Sequence, residues 1–409
     1  MSMRLSTEVL VIGAGPAGSA AAHWAAQAGH MVVVLEKETM PRERVCGDAL
    51  TPKAVGHLHD MGLGATCDEF HQHNGLRMTA HGRSIELRWP TDHDHPSHGL
   101  VIRRSTLDHL LLEHATTTGA QVWTGVEVLD PIIEHGHLRG CRAFGSGNGT
   151  GPQGEIEVRA RFVVIADGPL SSFGRALGTA RTRTYAQGVA MRGYFPSIHH
   201  DDDVIESVFD LRDNTGEQLP GYGWVFPVGD GTVNAGVGLL SHHHGNDPRS
   251  MRELFDQWIG QIPEYWGIAS EDMESEPKGG RLPMGASVRP RSGPNWVVVG
   301  DAAGSVNPFN GDGIEPALSN GRLAATVISD AIHSGDGLEL RQYEKQLVSK
   351  YDHYYRLGRL VTKALGRPGL MRRLTLLGIQ SRVLTELVMR ISTNLVNNDA
   401  GGTESVYEI

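Results

Sequence analysis

The feature that most constrains this fold is a glycine-rich turn near the start of the chain. An apolar run at residues 9–12 leads into residues 13–18, which read G-A-G-P-A-G, and an Ala-rich segment with a helical pattern follows at residues 19–28. A second apolar run, at residues 31–35, ends in Glu36. This succession of strand, G-x-G-x-x-G turn, helix and strand predicts a dinucleotide-binding βαβ unit.

The residues of this unit have distinct physical roles. Gly13 permits a tight turn, Gly15 lets the backbone approach a pyrophosphate, and Gly18 allows close packing of the helix on the strand. The free N–H groups and the partial positive charge at the helix N-terminus then face the phosphates. Glu36 is placed to accept hydrogen bonds from ribose hydroxyls, which argues against a 2′-phosphate in this pocket. These residues are compatible with either NAD or FAD.

A second glycine-rich stretch lies far along the chain. The apolar residues 296–299 lead into Gly300-Asp301 and a loop that ends at Gly313, and a helix is expected over residues 314–332. Asp301 can accept hydrogen bonds from a sugar-like chain, and the helix N-terminus behind the loop can stabilise negative charge such as that of a reduced flavin. A ligand that reaches both glycine-rich stretches must be long, which favours FAD over NAD.

Composition limits the class of protein. The 409 residues are enough for about two domains with ample core. A net charge of −10 argues against a general nucleic-acid binder, and three cysteines without a C-x-x-C pair argue against disulfides and a structural zinc site. No run is long enough to span a bilayer, and the first strand begins too near Met1 to leave room for a signal peptide. We therefore expect a cytoplasmic protein with no metal centre.

Charge and hydrophobic pattern change toward the C-terminus. Residues 341–390 hold 11 Lys and Arg against 3 Asp and Glu, which suggests contact with an anionic surface such as lipid headgroups. Apolar side chains recur at helical spacing at Leu370, Leu374, Leu377, Leu384, Val388, Ile391 and Leu395. Such a stripe is typical of a helix that packs on the main body. The alternative is a lipid-tunnel wall or a membrane-surface helix, which would place the protein peripherally at the inner face of the cell membrane.

Two further stretches are candidates for a reaction site. Tyr222, Trp224 and Phe226 alternate before a turn at residues 230–231, so they are expected on one face of a hairpin strand. Because only 6% of the chain is aromatic, three rings on one face favour an apolar ligand wall over ordinary core. Cys46 lies in a glycine-flanked loop after the first βαβ unit, where contact with a redox centre and burial as a small apolar residue are equally compatible with the sequence.

Other motifs lack the context that a binding site requires. Residues 149–154 also read G-x-G-x-x-G, but a strand is expected next, at residues 156–158, where a nucleotide site needs a helix. The chain therefore has one dinucleotide fold. His-rich stretches at residues 92–98, 199–203 and 242–244 are surrounded by turn formers and lack metal-ligand spacing, which favours solvated loops over metal sites.

The motifs together resemble a known class of flavoproteins. The N-terminal unit, Asp167-Gly168 after an apolar strand, and Gly300-Asp301 are similar to those of aromatic hydroxylases, flavin halogenases and geranylgeranyl reductases. Within this class, three segments resemble the geranylgeranyl reductase family: residues 45–52 (VCGDALTP), 222–227 (YGWVFP) and 310–315 (NGDGIE). The resemblance extends over roughly the first 330 residues.

The resemblance implies an α/β architecture with a Rossmann-type, hydroxylase-like FAD-binding domain, a β-sheet-rich substrate domain and a C-terminal helical segment. The expected ranges are 1–75, 100–175 and 285–333 for the FAD-binding domain, 76–99 and 176–284 for the substrate domain, and 334–409 for the helical region. Glu36 would bind the adenosine ribose, Arg103 or Arg104 would lie near the flavin chain, and Asp301 would hold the ribityl and phosphate part. The expected FAD contacts are Gly13, Gly15, Pro16, Ala17, Gly18, Glu36, Lys37, Cys46, Gly47, Arg103, Val126, Asp167, Gly168, Gly300, Asp301, Pro308, Gly311, Gly313 and Ile314.

The resemblance also implies an FAD-dependent oxidoreductase that saturates an isoprenoid C=C bond of a lipid. The menaquinone side chain is the favoured substrate, and geranylgeranyl diphosphate or a geranylgeranyl lipid is the alternative. Cys46 is the first candidate for the proton source and Tyr222 the second, and the rings of Tyr222 and Trp224 would shape the cavity and stabilise cationic character on carbon. The expected electron donor is NAD(P)H or another redox protein.

Other functions fit the sequence less well. Flavin halogenases carry a pair of tryptophans where this chain has Tyr222 and Trp224, together with a loop lysine that has no counterpart here. Aromatic hydroxylases act on small polar rings, which need no aromatic-walled apolar cavity. A non-enzymatic flavin-binding or lipid-carrier role would leave the loop cysteine and the aromatic stripe without a purpose.

Overall fold

The computed structural model describes residues 3–91, 95–185, 187–213, 215–240, 248–365 and 368–395. The helices are α1 (Pro16–Gln27), α2 (Pro52–Asp60), α3 (Gly64–Cys67), α4 (Arg104–Thr117), α5 (Ser172–Ala176), α6 (Pro248–Ile259), α7 (Ile314–Ser334), α8 (Arg341–Leu365), α9 (Pro368–Gly378) and α10 (Arg382–Ser392). The His-rich residues 242–244, part of the stretch 92–98 and the end of the helical region from residue 396 lie outside the described residues.

Strands and helices follow one another along the chain in the order expected of an α/β protein. The strands are β1 (Met3–Ile12), β2 (Val32–Glu36), β3 (Ala49–Leu50), β4 (His71–His73), β5 (Gly75–Ala80), β6 (Arg83–Arg88), β7 (Gly99–Val101), β8 (Gln121–Thr124), β9 (Val126–Glu134), β10 (His137–Gly145), β11 (Gly154–Ile165), β12 (Ala180–Arg181), β13 (Gln187–Pro196), β14 (Val204–Val208), β15 (Gly221–Pro227), β16 (Thr232–Leu240), β17 (Lys278–Pro283), β18 (Val288–Arg289) and β19 (Trp296–Val298).

The first sheet is parallel at its centre. Strands β8, β2, β1, β11 and β19 run parallel in that order, and β10 and β9 extend the sheet antiparallel from the first half of β11. A parallel sheet is buried on both faces, which explains the continuous apolar runs in β1 and β2. The glycine-rich residues 149–154 form the connection from β10 to β11, so the prediction that a strand follows them is confirmed.

Strands β1, β2, β11 and β19 end at one edge of this sheet, because they are parallel and in register. The two glycine-rich stretches meet there, and a Cβ atom built on Gly300 would lie 2.8 Å from the Cβ of Ala17. Ligands of open α/β sheets bind outside this carboxyl edge. The fold therefore places both predicted cofactor loops beside one crevice.

The second sheet is mostly antiparallel and has the order β17-β13-β16-β15-β14-β5-β6, with β14 and β5 parallel. Helix α6 covers one face with Phe255 and Trp258, and Trp266 joins the same apolar cluster. The opposite face carries the aromatic stripe of β15. Strands β15 and β16 pair antiparallel across residues 230–231, which confirms the predicted hairpin.

The C-terminal helices pack on the body, as the apolar stripe favours. The Tyr343 hydroxyl of α8 donates to the carbonyl of Val298 at 2.8 Å. Helix α10 lies against the second sheet, where Met389 joins the apolar cluster of Trp224. Other side chains of α9 and α10 face outward, and Leu377 is 63% exposed. Among the helices of the described ranges, none combines the length and apolar character needed to cross a bilayer.

Candidate active site

One continuous cavity of about 980 Å³ joins the two sheets. At one end it is lined by the glycine-rich loops at the carboxyl edge of the first sheet, and at the other by the face of the second sheet and by α9 and α10. Its volume is at the upper end of the range for small-molecule sites, about 300–1,000 Å³. This geometry suits two ligands that meet end to end.

Glycines shape the nucleotide end of the cavity. Gly13 has a φ of +97°, and a Cβ atom there would lie 2.3 Å from the carbonyl oxygen of Ala166. A Cβ on Gly18 would lie 1.9 Å from the carbonyl oxygen of Gly13, so only glycine fits both positions. A Cβ on Gly15 would instead meet only ordinary contacts, with Arg42 Nη2 at 3.8 Å the nearest atom. The three roles predicted for these glycines match this geometry.

Glu36 organises the same end. One carboxylate oxygen accepts a hydrogen bond from the Ala14 N–H at 2.8 Å, and the other accepts one from the Glu38 N–H at 3.0 Å. Arg42 Nη2 lies 3.4 Å from Glu36 Oε2. The carboxylate is therefore held at the end of β2, beside the mouth of the turn.

A chain of buried charges runs from this carboxylate toward Cys46. Arg42 Nη1 lies 3.0 Å from Asp108 Oδ2, and Asp108 accepts two hydrogen bonds from Arg104, at 2.7 and 3.0 Å. The Arg104 guanidinium in turn interacts with the Cys46 thiol. Charges of alternating sign offset the cost of burying each ion. The sequence contains no local signal for the contact between Arg42 and Asp108, because these two residues come from separate segments.

The two adjacent arginines have different environments. Arg104 lines the cavity, whereas Arg103 does not. Arg103 instead pairs with Asp230 at 2.8 Å and with Glu274 at 2.9 Å, and its guanidinium stacks on Tyr194. Of the two residues that the sequence left open, the structure therefore places Arg104 at the cofactor end and gives Arg103 a role in joining β7 to the second sheet.

The helix that follows the second glycine-rich loop is already capped. Asp312 Oδ1 accepts hydrogen bonds from the N–H groups of Ile314 and Glu315 at 2.9 and 3.3 Å, and Pro316 has no N–H. The sequence predicted that this N-terminus stabilises an anion such as a reduced flavin. Its first N–H groups are hydrogen-bonded to a carboxylate of the chain itself. Stabilisation of a flavin anion by this helix stays a prediction.

Two other acidic residues lie at the cofactor end. Asp301 lines the cavity, and burial raises its pKa to about 6, a shift opposed by the charge of Arg104. Asp167 also lines the cavity, and one of its oxygens accepts a hydrogen bond from the Phe173 N–H at the start of α5, at 3.0 Å. Their side chains are placed at the ends of β19 and β11, as the sequence indicated.

Cys46 lies where the cofactor end meets the second sheet. Its Sγ accepts a hydrogen bond from the Asp48 N–H at 3.3 Å. Burial raises the pKa of the Cys46 thiol to about 11, and the Arg104 guanidinium opposes this rise. The thiol is therefore protonated at neutral pH, which suits a proton donor better than a nucleophile.

The aromatic stripe forms one wall of the cavity. The ring centroids of Tyr222 and Trp224 are 6.0 Å apart and those of Trp224 and Phe226 are 6.1 Å apart, which confirms that the three rings share a face. The Tyr222 hydroxyl donates to the carbonyl of Asn310 at 2.5 Å. Burial and the nearby charge of Asp312 raise the pKa of Tyr222. The hydrogen bond directs its proton to the loop. Of the two proposed proton sources, Cys46 is thus the better placed.

Most of the residues that the sequence indicated surround this cavity. Those that line it are Gly13, Gly15, Pro16, Ala17, Glu36, Lys37, Cys46, Gly47, Val126, Asp167, Gly168, Tyr222, Trp224, Asp301, Pro308, Gly311, Gly313 and Ile314. Gly18 and Gly300 lie behind this lining and allow backbones to approach closely.

Comparisons with known proteins agree with this geometry. A family model described as an FAD binding domain matches residues 6–348. The menaquinone reductase of Mycobacterium tuberculosis is 37% identical over 400 residues, which cover 98% of this chain and 94% of that protein. This chain belongs to the geranylgeranyl reductase family of FAD-binding proteins. It is an FAD-dependent oxidoreductase of an isoprenoid reductase family, which confirms the predicted cofactor and enzyme class.

Two further relatives extend the comparison. Digeranylgeranylglycerophospholipid reductase 1 of Methanosphaera stadtmanae is 29% identical over 360 residues, which cover 86% of this chain and 80% of that protein. The crystal structure of a geranylgeranyl bacteriochlorophyll reductase-like protein from Thermoplasma acidophilum matches with a TM-score of 0.80 at 25% identity, over 95% of this chain and 96% of that one. The predicted hydroxylase-like α/β architecture is confirmed.

The residues present fit FAD. Helix α1 has no side-chain cap, so its first N–H groups face the space beside Gly15 where a pyrophosphate would lie. Arg42 lines the cavity, and its buried Nε atom has no hydrogen-bond partner among the described residues. Glu36 and Asp301 both line the cavity. Arg42 and Asp108 are the members of this site that sequence reasoning missed.

Substitution of Gly15 tests the nucleotide end. Its backbone φ of −76° is open to any residue, so Gly15→Ala should fold normally. Its methyl group would occupy the space beside the α1 N-terminus, and we expect FAD affinity to fall about tenfold or more, about 1.4 kcal/mol. Flavin fluorescence titration of the apoprotein measures this.

Gly64→Ala is the matched control, because its Cβ would meet only the His59 ring at 3.6 Å, away from the cavity. If both Gly15→Ala and Gly64→Ala bind FAD with wild-type affinity, the placement of the pyrophosphate beside Gly15 is wrong.

Proposed function

We propose that this protein saturates a C=C bond in the isoprenoid tail of a lipid, with the menaquinone side chain as the favoured substrate. The observation that carries this proposal is the continuity of the cavity, which passes from the FAD loops directly into an apolar chamber. The mycobacterial relative is named a menaquinone reductase, and it matches nearly the whole length of this chain.

The lining of the chamber suits a hydrocarbon chain. Its walls come from β5, β14 and β15 on one side and from α9 and α10 on the other. The residues between 368 and 393 that line it are apolar or small: Met371, Leu374, Thr375, Gly378, Ile379, Leu384, Thr385, Val388, Ser392 and Thr393. An isolated alkene has no polar group that the protein could hydrogen-bond. Catalysis therefore depends on holding the alkene tightly in a site without water.

Reduction of the alkene adds a hydride to one carbon and a proton to the other, as the π bond breaks and two C–H bonds form. Bound FAD in its reduced form supplies the hydride and both electrons. We propose that Cys46 supplies the proton, which leaves a thiolate beside the Arg104 guanidinium. That guanidinium favours the thiolate, and solvent returns the proton after turnover. Tyr222 and Trp224 hold the alkene and stabilise cationic character on carbon.

We also propose roles for the parts of the chain. Residues 1–75, 100–175 and 285–333 would bind FAD, and residues 76–99 and 176–284 would bind the lipid, because these ranges contribute the two ends of the cavity. With FAD in the nucleotide site, electrons come from NAD(P)H that visits the flavin or from another redox protein.

Substrate class is tested with the reduced holoenzyme. Dithionite-reduced protein is incubated without oxygen with menaquinone, geranylgeranyl diphosphate or a geranylgeranyl lipid. The products are then reoxidised in air, so that reduction of the quinone ring does not count. We expect mass spectrometry to show a gain of two hydrogens in menaquinone.

A gain of two hydrogens in a geranylgeranyl compound but not in menaquinone would assign the alternative substrate. The proposed reductase activity would be overturned if none of the three isoprenoids gained two hydrogens while an aromatic compound was oxygenated in air. Parallel incubations without protein are the control.

Cys46→Ser tests the proton source. Loss of a general acid lowers rates by about a hundredfold or more, and we expect a loss of this size in turnover at unchanged FAD content. Cys67→Ala is the matched control, since Cys67 is a buried cysteine that does not line the cavity. Turnover of Cys46→Ser at the wild-type rate would remove Cys46 from the mechanism.

We propose further that α9 and α10 dock on an anionic membrane surface. Leu374, Leu384 and Val388 line the chamber and are also 46%, 41% and 44% exposed, so the chamber opens between these helices. Leu377 and Val383 beside this opening are 63% and 79% exposed. Exposed arginines on the same helices complement anionic headgroups: Arg372, Arg373 and Arg382. A lipid tail would then enter the chamber without crossing water.

Vesicle flotation tests this docking. We expect the protein to float with vesicles that contain phosphatidylglycerol, less so at high salt, and weakly with pure phosphatidylcholine. Replacing Leu377 and Val383 with Gln should weaken binding about tenfold or more. Met31 and Ile198 are 62% and 80% exposed outside α9 and α10, and their replacement with Gln is the matched control. Equal binding by both double variants would contradict this surface.

A further inference from the structure

One buried amide lies between the two groups that face the lipid. Asn234 of β16 is fully buried, and it is not among the residues that line the cavity. Its Oδ1 accepts a hydrogen bond from Trp224 Nε1 at 2.9 Å. Its Nδ2 donates to the carbonyl of Cys46 at 2.9 Å and to Asp48 Oδ2 at 2.8 Å. Both N–H groups and the carbonyl of this amide are therefore in use.

The partners of Asn234 belong to two separate segments, the loop of Cys46 and Asp48 and the strand of Trp224. Cys46 and Asp48 belong to a loop, and Asp48 has a φ of 65°, an uncommon conformation for a residue other than glycine. The Asp48 carboxylate is held on its other side by the Tyr194 hydroxyl and by the Arg104 N–H. Trp224 packs at the cavity wall against Gly236, where a Cβ would lie 2.3 Å from its ring.

We propose that Asn234 is a positioning residue, which fixes the Trp224 ring and the Cys46 loop relative to each other at the wall of the lipid chamber. This inference rests on the proposed reduction of an isoprenoid. Asn234 touches neither ligand, and it acts through two groups that do. Only an amide can serve here, because one end must accept from an indole N–H while the other donates to a carbonyl and a carboxylate.

Asn234→Leu keeps the approximate volume and removes all three hydrogen bonds. We expect reoxidation of the reduced flavin by the lipid to slow about tenfold to a hundredfold, because a shift of about 1 Å at a reacting group has effects of that size. Reduction of the flavin by dithionite and FAD content should stay at wild-type values. Asn234→Asp retains the bond to Trp224 and places an acceptor against the Cys46 carbonyl, so it should slow the same half-reaction if Asn234→Leu does not fold.

Asn295→Leu is the matched control. Asn295 is also a buried amide with three hydrogen bonds, which link the Leu138 backbone to the Arg161 carbonyl away from the cavity. We expect this variant to lower the melting temperature without slowing lipid-dependent reoxidation. The proposal would be overturned if Asn234→Leu slowed lipid-dependent reoxidation of the flavin by no more than twofold, or by no more than Asn295→Leu does.

A second readout does not depend on turnover. Release of the Cys46 loop should raise the rate at which iodoacetamide labels Cys46 in the Asn234→Leu holoenzyme about tenfold, while Cys67 in the same molecule keeps its wild-type rate. Peptide mass spectrometry measures both. If the wild-type protein reduces no isoprenoid, the proposed function fails, and unchanged labelling of Cys46 would separately show that Asn234 does not hold the loop.

Discussion

The structure depends on the close approach of backbones around the first turn of α1. Gly13 and Gly18 bring that turn against the end of β11, and a Cβ on Gly321 of α7 would lie 2.4 Å from the carbonyl oxygen of Ala17. The first turn of α1, the end of β11 and helix α7 can approach one another there only because Gly13, Gly18 and Gly321 have no side chains. The position of the nucleotide end, and of the helix that carries the second glycine-rich loop, follows from this packing.

Buried charge is the second constraint on the site. Glu36, Arg42, Asp108 and Arg104 alternate in sign between the ribose end and the thiol. Such a row costs desolvation energy, and each ion is tolerated because a partner of opposite charge lies beside it. Removal of one member would leave the next ion buried without compensation. The two ends of the cofactor site are thus electrostatically linked through the protein as well as through the ligand.

Features encoded locally were predictable from the sequence. The G-x-G-x-x-G unit, the hairpin of β15 and β16 and the aromatic face have short-range periodicity or turn residues, and the structure contains all three. Contacts between distant segments were not predictable. Asn234 bonds to Cys46 across 188 positions, and Arg42 pairs with Asp108 of α4. No local pattern distinguishes these residues from ordinary loop and strand positions.

The end of α10 is attached to the loop that carries the cofactor contacts. Asn307 Nδ2 donates to the carbonyl of Ser392 at 2.9 Å, and the Tyr354 hydroxyl donates to the same carbonyl at 2.8 Å. This end of α10 is therefore fixed to the cofactor loop. A shift of α10 at Ser392 would also displace that loop, so the shape of the chamber and the position of the cofactor contacts are coupled through Asn307 and Tyr354.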